Sequence, residues 1–235
     1  MPDPKRRVLL AVPTAYGNNH PQSYNSMYRA IGTSQRCEVR LHVTQGDALL
    51  SRVRNLHVTE FLERPDCGWL ACLDSDIEVS NASQSDNWLD RLTDWNLPLV
   101  GGLYRVKSDE DARCSSVVLD PGLGPPAPDT GLREMRWLST GVWMVRRDCA
   151  EMMARSYPEL WYDADSGVKR KIFGGFICFI ADVMRGNGSG FRKYLSEDWA
   201  FCERWRHIGG RIFADTSIRT VHYGCKGFPM WPPKK

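Results

Sequence analysis

Apolar residues in this chain fall into short unbroken runs, separated by segments in which they recur at helical spacing. "RVLLAVP" reads as a strand buried on both faces and ending at Pro13, and "CEVRLHV" as a second strand. Between them "SYNSMYRAIG" reads as a short helix stopped by Gly32. In "GDALLSRVRNLHVTEFLERP" the residues Leu49, Leu50, Val53, Leu56 and Phe61 predict a helix, with Asp47 in front and Pro65 beyond its end. "GWLACL" follows as a buried strand, then a helix around "SDNWLDRLTDW" and a strand in "PLVGGLY". Strands alternating with helices predict an α/β fold with a mostly parallel central sheet flanked by helices, and ligands at the carboxyl ends of the strands.

The second half of the chain is less regular. "DPGLGPPAPDTG" is a proline- and glycine-rich loop, and "MRWLSTGVWMVRRD" gives two short strands leading into a helix at "CAEMMARSY". "KRKIFGGFICFI" reads as one buried strand with a basic entry, and "RGNGSG" as a loop. "SEDWAFCERWRHIGG" is a helix with Ser196 as N-cap and Gly209 at its end. "RIFAD" and "IRTVHYG" are expected to close the sheet. With no internal repeat and no linker, residues 1–235 read as one domain.

Composition narrows the class. In 235 residues, 42% are hydrophobic and 25% charged, which is ordinary for a globular domain. A formal net charge of +3 gives no general affinity for nucleic acid. The eight cysteines include no C-x-x-C pair, so a reduced, cytoplasmic protein is expected. The apolar run after "MPDPKRR" stops at Pro13 without a signal-peptide cleavage pattern, and "IFGGFICFIADVM" is too short to span a bilayer.

Three stretches carry candidate chemistry. The run "CLDSDIEVS" brings Asp74 and Asp76 to a strand end. Strand alternation would set them on one face, where their mutual repulsion asks for a cation. A hard divalent ion such as Mg²⁺ or Mn²⁺ would answer it while keeping positions open for water and phosphate oxygens. Two acids opening an exposed turn would look the same in sequence. An EF-hand is excluded, because Val79 and Ser85 stand where that loop needs Gly and Glu. In "SEDWAFCERW", Glu197 and Asp198 occupy a first helical turn, where the helix dipole favours acids whether or not one also accepts a proton. His222 in "IRTVHYG" could be a structural histidine or give an imidazole to a metal, which would suit Mn²⁺ better than Mg²⁺. No Walker or dinucleotide-binding glycine motif occurs, which removes the P-loop and Rossmann dehydrogenase classes.

Taken in order, "VPT", "SRVRN", "LDSD", "GGLY", "STGVWMVRRD", "SEDWAFCERW" and "HYG" resemble the glycosyltransferases of the GT-A fold, closest to short stand-alone members of phage and bacterial type. The resemblance runs through most of the chain. It implies a single Rossmann-like domain with a nucleotide half of about 1–105 and an acceptor half of about 106–235. It also implies a nucleotide-sugar donor, most commonly a UDP-sugar, with Mn²⁺ or Mg²⁺ as cofactor. By the same resemblance Asp74 and Asp76 would meet ribose and metal, and His222 would be a late metal ligand. Pro13 and Thr14 would line the base pocket, and Arg52 and Asn55 would face nucleotide or sugar. Gly141 would let the donor sugar approach closely. Asp198 would be the base of an inverting transfer, with Glu197 holding hydroxyls. Arg52 or Arg54 would add fixed positive charge beside the diphosphate.

The resemblance implies a hydroxyl compound as acceptor. The basic runs at 168–171 and 190–193, near Trp161, Tyr162 and Tyr194, make DNA with a hydroxymethylated base one reading. A saccharide or lipid-linked sugar is the other. A non-catalytic nucleotide-sugar-binding module would be expected to have lost one of the two acidic pairs, and this chain keeps both. The tail "CKGFPMWPPKK" could fold over the site or remain a free end, and the sequence does not fix an oligomeric state.

Overall fold

A computed structural model describes residues 5–14, 20–80, 87–110, 113–164, 169–184 and 190–231. Strand β1 (Arg6–Thr14) is buried from Val8 onward. It pairs in parallel with β2 (Cys37–Gln45) on one side and β3 (Trp69–Leu73) on the other. Beyond β3 the sheet continues through β8 (Val142–Arg146), β5 (Leu99–Gly102), β13 (Phe213–Asp215), β7 (Leu132–Trp137) and β6 (Val117–Val118). The ladders make β7 and β8 antiparallel to the other six strands. The fold is therefore mixed α/β with a large, mostly parallel central sheet, as the alternation of strands and helices predicts.

Strand alternation explains why this sheet has two covered faces. Val8, Leu10 and Val12 point to one side, where α1 (Pro21–Thr33) and α3 (Trp88–Asp94) bury Met27, Ala30, Trp88, Leu89 and Leu92 against them. Leu9 and Ala11 point to the other side. There α2 (Leu50–Leu62), α4 (Arg147–Ser156) and α5 (Glu197–His207) supply Val58, Phe61, Met153, Phe201 and Trp205. Burial on that scale, at about 25 cal/mol per Å² of apolar surface, is what holds the layers together.

Two expected elements differ. "KRKIFGGFICFI" is not one strand. It forms β10 (Lys171–Phe173), paired with β9 (Trp161–Asp163), and then β11 (Phe179–Met184), paired with β12 (Gly190–Leu195). Between β10 and β11 the chain turns at Gly174, whose carbonyl accepts the amide of Ile177. A Cβ at Gly174 would stand 2.7 Å from the Leu160 carbonyl oxygen, so the turn needs the glycine. The other difference is "IRTVHYG", which does not close the main sheet. As β14 (Arg219–Tyr223) it sits between β4 (Ile77–Ser80) and β15 (Gly227–Pro229) in a separate three-stranded sheet. β4 is the continuation of the Asp74–Asp76 turn, so this small sheet ties the late histidine to that turn. Part of the tail is ordered by the same sheet: Met230 donates its amide to the Thr220 carbonyl, and Met230 and Trp231 pack on the core.

No helix among the described residues is long and apolar enough to cross a membrane. The cysteines are all free thiols, five of them buried.

Candidate active site

β1 and β3 end side by side, and a cleft of about 260 Å³ opens at their carboxyl ends. Pro13 and Thr14 from β1, Asp47 before α2, Asp74 and Asp76 after β3, and His222 from β14 all line it. Thr14 is buried, and its Oγ1 has no hydrogen-bond partner among the described residues. A buried hydroxyl of that kind at a cleft wall is positioned for a ligand or a water.

The two aspartates do not share a strand face. β3 stops at Leu73, and residues 74–76 form a turn closed by the Ile77 amide donating to the Asp74 carbonyl. Each carboxylate turns to its own cation. Asp74 Oδ1 accepts from Arg54 Nη2. Asp76 Oδ2 accepts from Lys107 Nζ at 2.5 Å, while its Oδ1 lies 3.6 Å from His222 Nε2. Burial would raise the Asp76 carboxyl, but His222 and Lys107 outweigh it and hold it at about 2.

Arg54 is the residue on which the site is built. Its side chain is 0% exposed, and its Nε and Nη1 find no hydrogen-bond partner among the described residues. It occupies the buried stripe of α2 with His57, Val58 and Phe61, where an apolar residue would ordinarily sit. Arg52, two residues earlier, faces outward at the cleft mouth and donates from Nε and Nη2 to Asp47 at 2.5 and 2.8 Å. Asn55 points the other way. Its Oδ1 accepts the Phe176 amide at 2.8 Å and its Nδ2 approaches the Tyr162 hydroxyl at 3.4 Å, so it braces the 174–178 turn.

The second acidic pair comes in from α5. Asp198 is 9% exposed. Its Oδ1 accepts from the Ser196 hydroxyl and, at 2.8 Å, from the Trp199 amide. Ser196 holds the N-cap position, but its side chain makes no capping bond; its hydroxyl donates to Asp198. Burial pushes Asp198 above the usual carboxylate range, opposed by Ser196, Trp199, Ser139 and Arg54. Glu197 is also raised, by burial first and then by Asp198, and Arg54 again opposes the rise. The field of Arg54 thus reaches Asp74, Glu197 and Asp198 together.

Gly141 ties the Asp74 turn to Tyr104. Its carbonyl accepts the Asp74 amide at 3.0 Å and its own amide donates to the Tyr104 hydroxyl at 3.1 Å. A Cβ there would stand 2.3 Å from Ile77 Cδ1 and 2.7 Å from the Tyr104 ring, so what lies against this glycine is protein. Tyr104 in turn sets its ring edge against His222, with centroids 5.1 Å apart. His222 Nδ1 is 3.0 Å from the Arg105 carbonyl oxygen, which only accepts, so the proton belongs on Nδ1. With a second proton on Nε2 the ring faces Asp76 as a donor, which is how it lowers that carboxyl; without it, the Nε2 lone pair faces a carboxylate oxygen. Among the described residues no three His, Cys, Asp or Glu side chains form a preassembled metal cage.

In the basic segment at the start of β10, Arg170 and Lys171 are paired with neighbouring acids. Arg170 donates to Glu60 at 2.8 Å and to Glu63 at 2.5 Å, and Lys171 pairs with Asp163 at 2.8 Å. Val168 lies outside the described residues. Lys193 rests over the rings of Trp137 and Trp199, and Tyr194 is exposed on the outer face of the β11–β12 hairpin.

No protein-family model matches the chain, and no curated protein matches it. Among solved structures, a glycosyltransferase involved in the glycosylation of the major capsid of PBCV-1 aligns over 62% of each chain, with 13% identity and a TM-score of 0.37. A197 from STIV aligns over 93% of this chain and 86% of its own, with 16% identity and a TM-score of 0.56. At that identity the likeness is one of architecture, and this chain shares the fold of A197 from STIV.

Proposed function

We propose that this chain is an inverting glycosyltransferase of the GT-A type, moving a sugar from a nucleotide-sugar, with UDP as the favoured nucleotide, to a hydroxyl acceptor. One observation carries the reading. Three acids from distant parts of the chain, Asp74, Glu197 and Asp198, gather about one buried arginine, and Asp74 and its neighbour Asp76 line a cleft at the strands' carboxyl ends. That end of a parallel sheet is where α/β folds bind ligands.

The donor would lie with its nucleotide against Pro13 and Thr14, where the unpartnered Thr14 hydroxyl can accept or donate. Asp76 and His222 fit a divalent cation. Their facing Oδ1 and Nε2 atoms, 3.6 Å apart, repel unless a proton or metal lies between them. Two protein ligands suit an ion that completes its shell with phosphate oxygens and water, and the imidazole favours Mn²⁺. When bound, such an ion stabilises the leaving diphosphate as a Lewis acid. As the acceptor oxygen bonds to the anomeric carbon and the bond to the diphosphate breaks, Asp198 takes the acceptor's proton. Its raised pKa makes it a stronger base than a surface aspartate. The pairing of Arg170 and Lys171 with acids lowers the positive charge that this run offers to a polyanion, and we propose a saccharide-type acceptor.

Thermal or chemical unfolding with a nucleoside diphosphate tests the reading. UDP with Mn²⁺ is expected to stabilise the fold by about 2.7 kcal/mol at a hundredfold excess over Kd. Asp76→Asn is expected to lose the metal-dependent part of that gain. Stabilisation that is equal with and without Mn²⁺ in the unaltered protein would contradict it.

A further inference from the structure

The geometry points to an exchange of counter-ions at Asp76, in which Lys107 holds the carboxylate until a divalent cation takes it, and then serves the diphosphate. The inference rests on the function proposed above. It comes from a difference between the two carboxylates of the 74–76 turn. Asp74 is paired to an arginine that is wholly buried and has nowhere else to go. Asp76 is paired to a lysine that can leave: the two side chains are 36% and 37% exposed. Exposed lysine–carboxylate pairs are weak, and lysine is a flexible stem with a rotatable ammonium.

The backbone under Lys107 is fixed while its head is free. Val106 donates its amide to the Arg113 carbonyl, Ser108 donates to the Val106 carbonyl, and Arg105 bridges Cys114. The lysine stem passes over Gly224, where a Cβ would come within 3.3 Å of Lys107 Cδ. The neighbouring Lys226 pairs with Asp109 at 2.5 Å, so Lys107 is the lysine on Asp76. On the opposite side of the carboxylate stands His222 Nε2. A divalent ion held between Asp76 and His222 would repel an ammonium on the same carboxylate. The displaced ammonium, still anchored at the cleft rim, is then a point-charge donor for phosphate oxygens.

Lys107→Gln separates the two halves of this exchange. Titration of the free protein with Mn²⁺ alone, read by calorimetry or by the electron paramagnetic resonance of unbound Mn²⁺, should show up to about fivefold tighter binding in the variant, the worth of an exposed ion pair. UDP binding at saturating Mn²⁺ should instead weaken about tenfold or more, since a charge-assisted bond to phosphate is lost. Lys107→Arg should bring the Mn²⁺ affinity back toward that of the unaltered protein. A lysine with only a structural role would move both affinities in one direction or neither. Mn²⁺ affinity that is unchanged or weaker in Lys107→Gln overturns the exchange, as does unchanged UDP affinity. If neither protein binds Mn²⁺, the exchange falls together with the metal site. If the unaltered protein binds Mn²⁺ and Lys107→Gln binds it no tighter, the exchange alone falls.

Discussion

Arg54→Met should destabilise the protein by about 3–5 kcal/mol, the usual cost of removing one partner from a buried ion pair. The side chain is 0% exposed, and Asp74, 20% exposed, would keep its charge with nothing to balance it. Methionine fills a similar volume and removes the two unpartnered nitrogens, so the loss measured is chiefly that of the charge partner. Adding Asp74→Asn to Arg54→Met should recover a large part of the stability, because the stranded charge is then gone. Denaturant unfolding of the two single variants and the double variant closes the cycle. A cost below about 1 kcal/mol for Arg54→Met, the range of a surface pair, would mean that Arg54 does not organise the site.

Asp198→Asn should lower turnover by about 10²–10⁴-fold, the contribution of a general base. The amide keeps an oxygen for the Ser196 hydroxyl and the Trp199 amide, so the start of α5 should stay in place. Nucleoside diphosphate affinity should change little, since Asp198 is not in contact with the cleft at Thr14 and Asp76. The pH profile carries a second signature. A base must be deprotonated to act, and burial raises this one, so the acidic limb of kcat/KM should lie above the ordinary carboxylate value of about 3.9. The same raised pKa makes Asp198 stabilising below its unfolded pKa, with that contribution lost as pH rises through the folded value. Asp198→Asn should therefore be at least as stable as the unaltered protein at neutral pH, and lose ground relative to it in acid. A limb at or below about 4, or near-normal turnover in the variant, would move the base elsewhere.

Much of this architecture was legible because burial leaves a strong trace. β1 and β3 are apolar without a break since both faces are covered, and α5 is punctuated by Ser196 and by Gly209 at φ +89°. What the sequence hides is pairing at a distance. Strand periodicity puts Asp74 and Asp76 on one face, but hydrogen bonding of the Ile77 amide makes a turn there, and the side chains separate toward Arg54 and Lys107. β14 looks like a last strand of the main sheet because nothing local reveals that its partner is β4, at residues 77–80. On α2 the apolar stripe misleads, since Leu49 is exposed and the buried face carries Arg54 and His57 instead. The available signal was an arginine at the i−4 and i−7 positions of Val58 and Phe61. Lys107 left no signal, because a loop lysine is like any other until its carboxylate partner is known.

The most direct measurement is release of nucleoside diphosphate from a panel of nucleotide-sugars, with Mn²⁺ and with saccharide and DNA hydroxyl acceptors offered separately. The account predicts Mn²⁺-dependent release from a preferred donor, accelerated by a saccharide acceptor. It also predicts that Asp198→Asn, which still binds the diphosphate, loses that release. A protein that binds nucleotide-sugars yet releases no diphosphate with any acceptor would contradict it, and would leave a binding module built on a transferase-like fold.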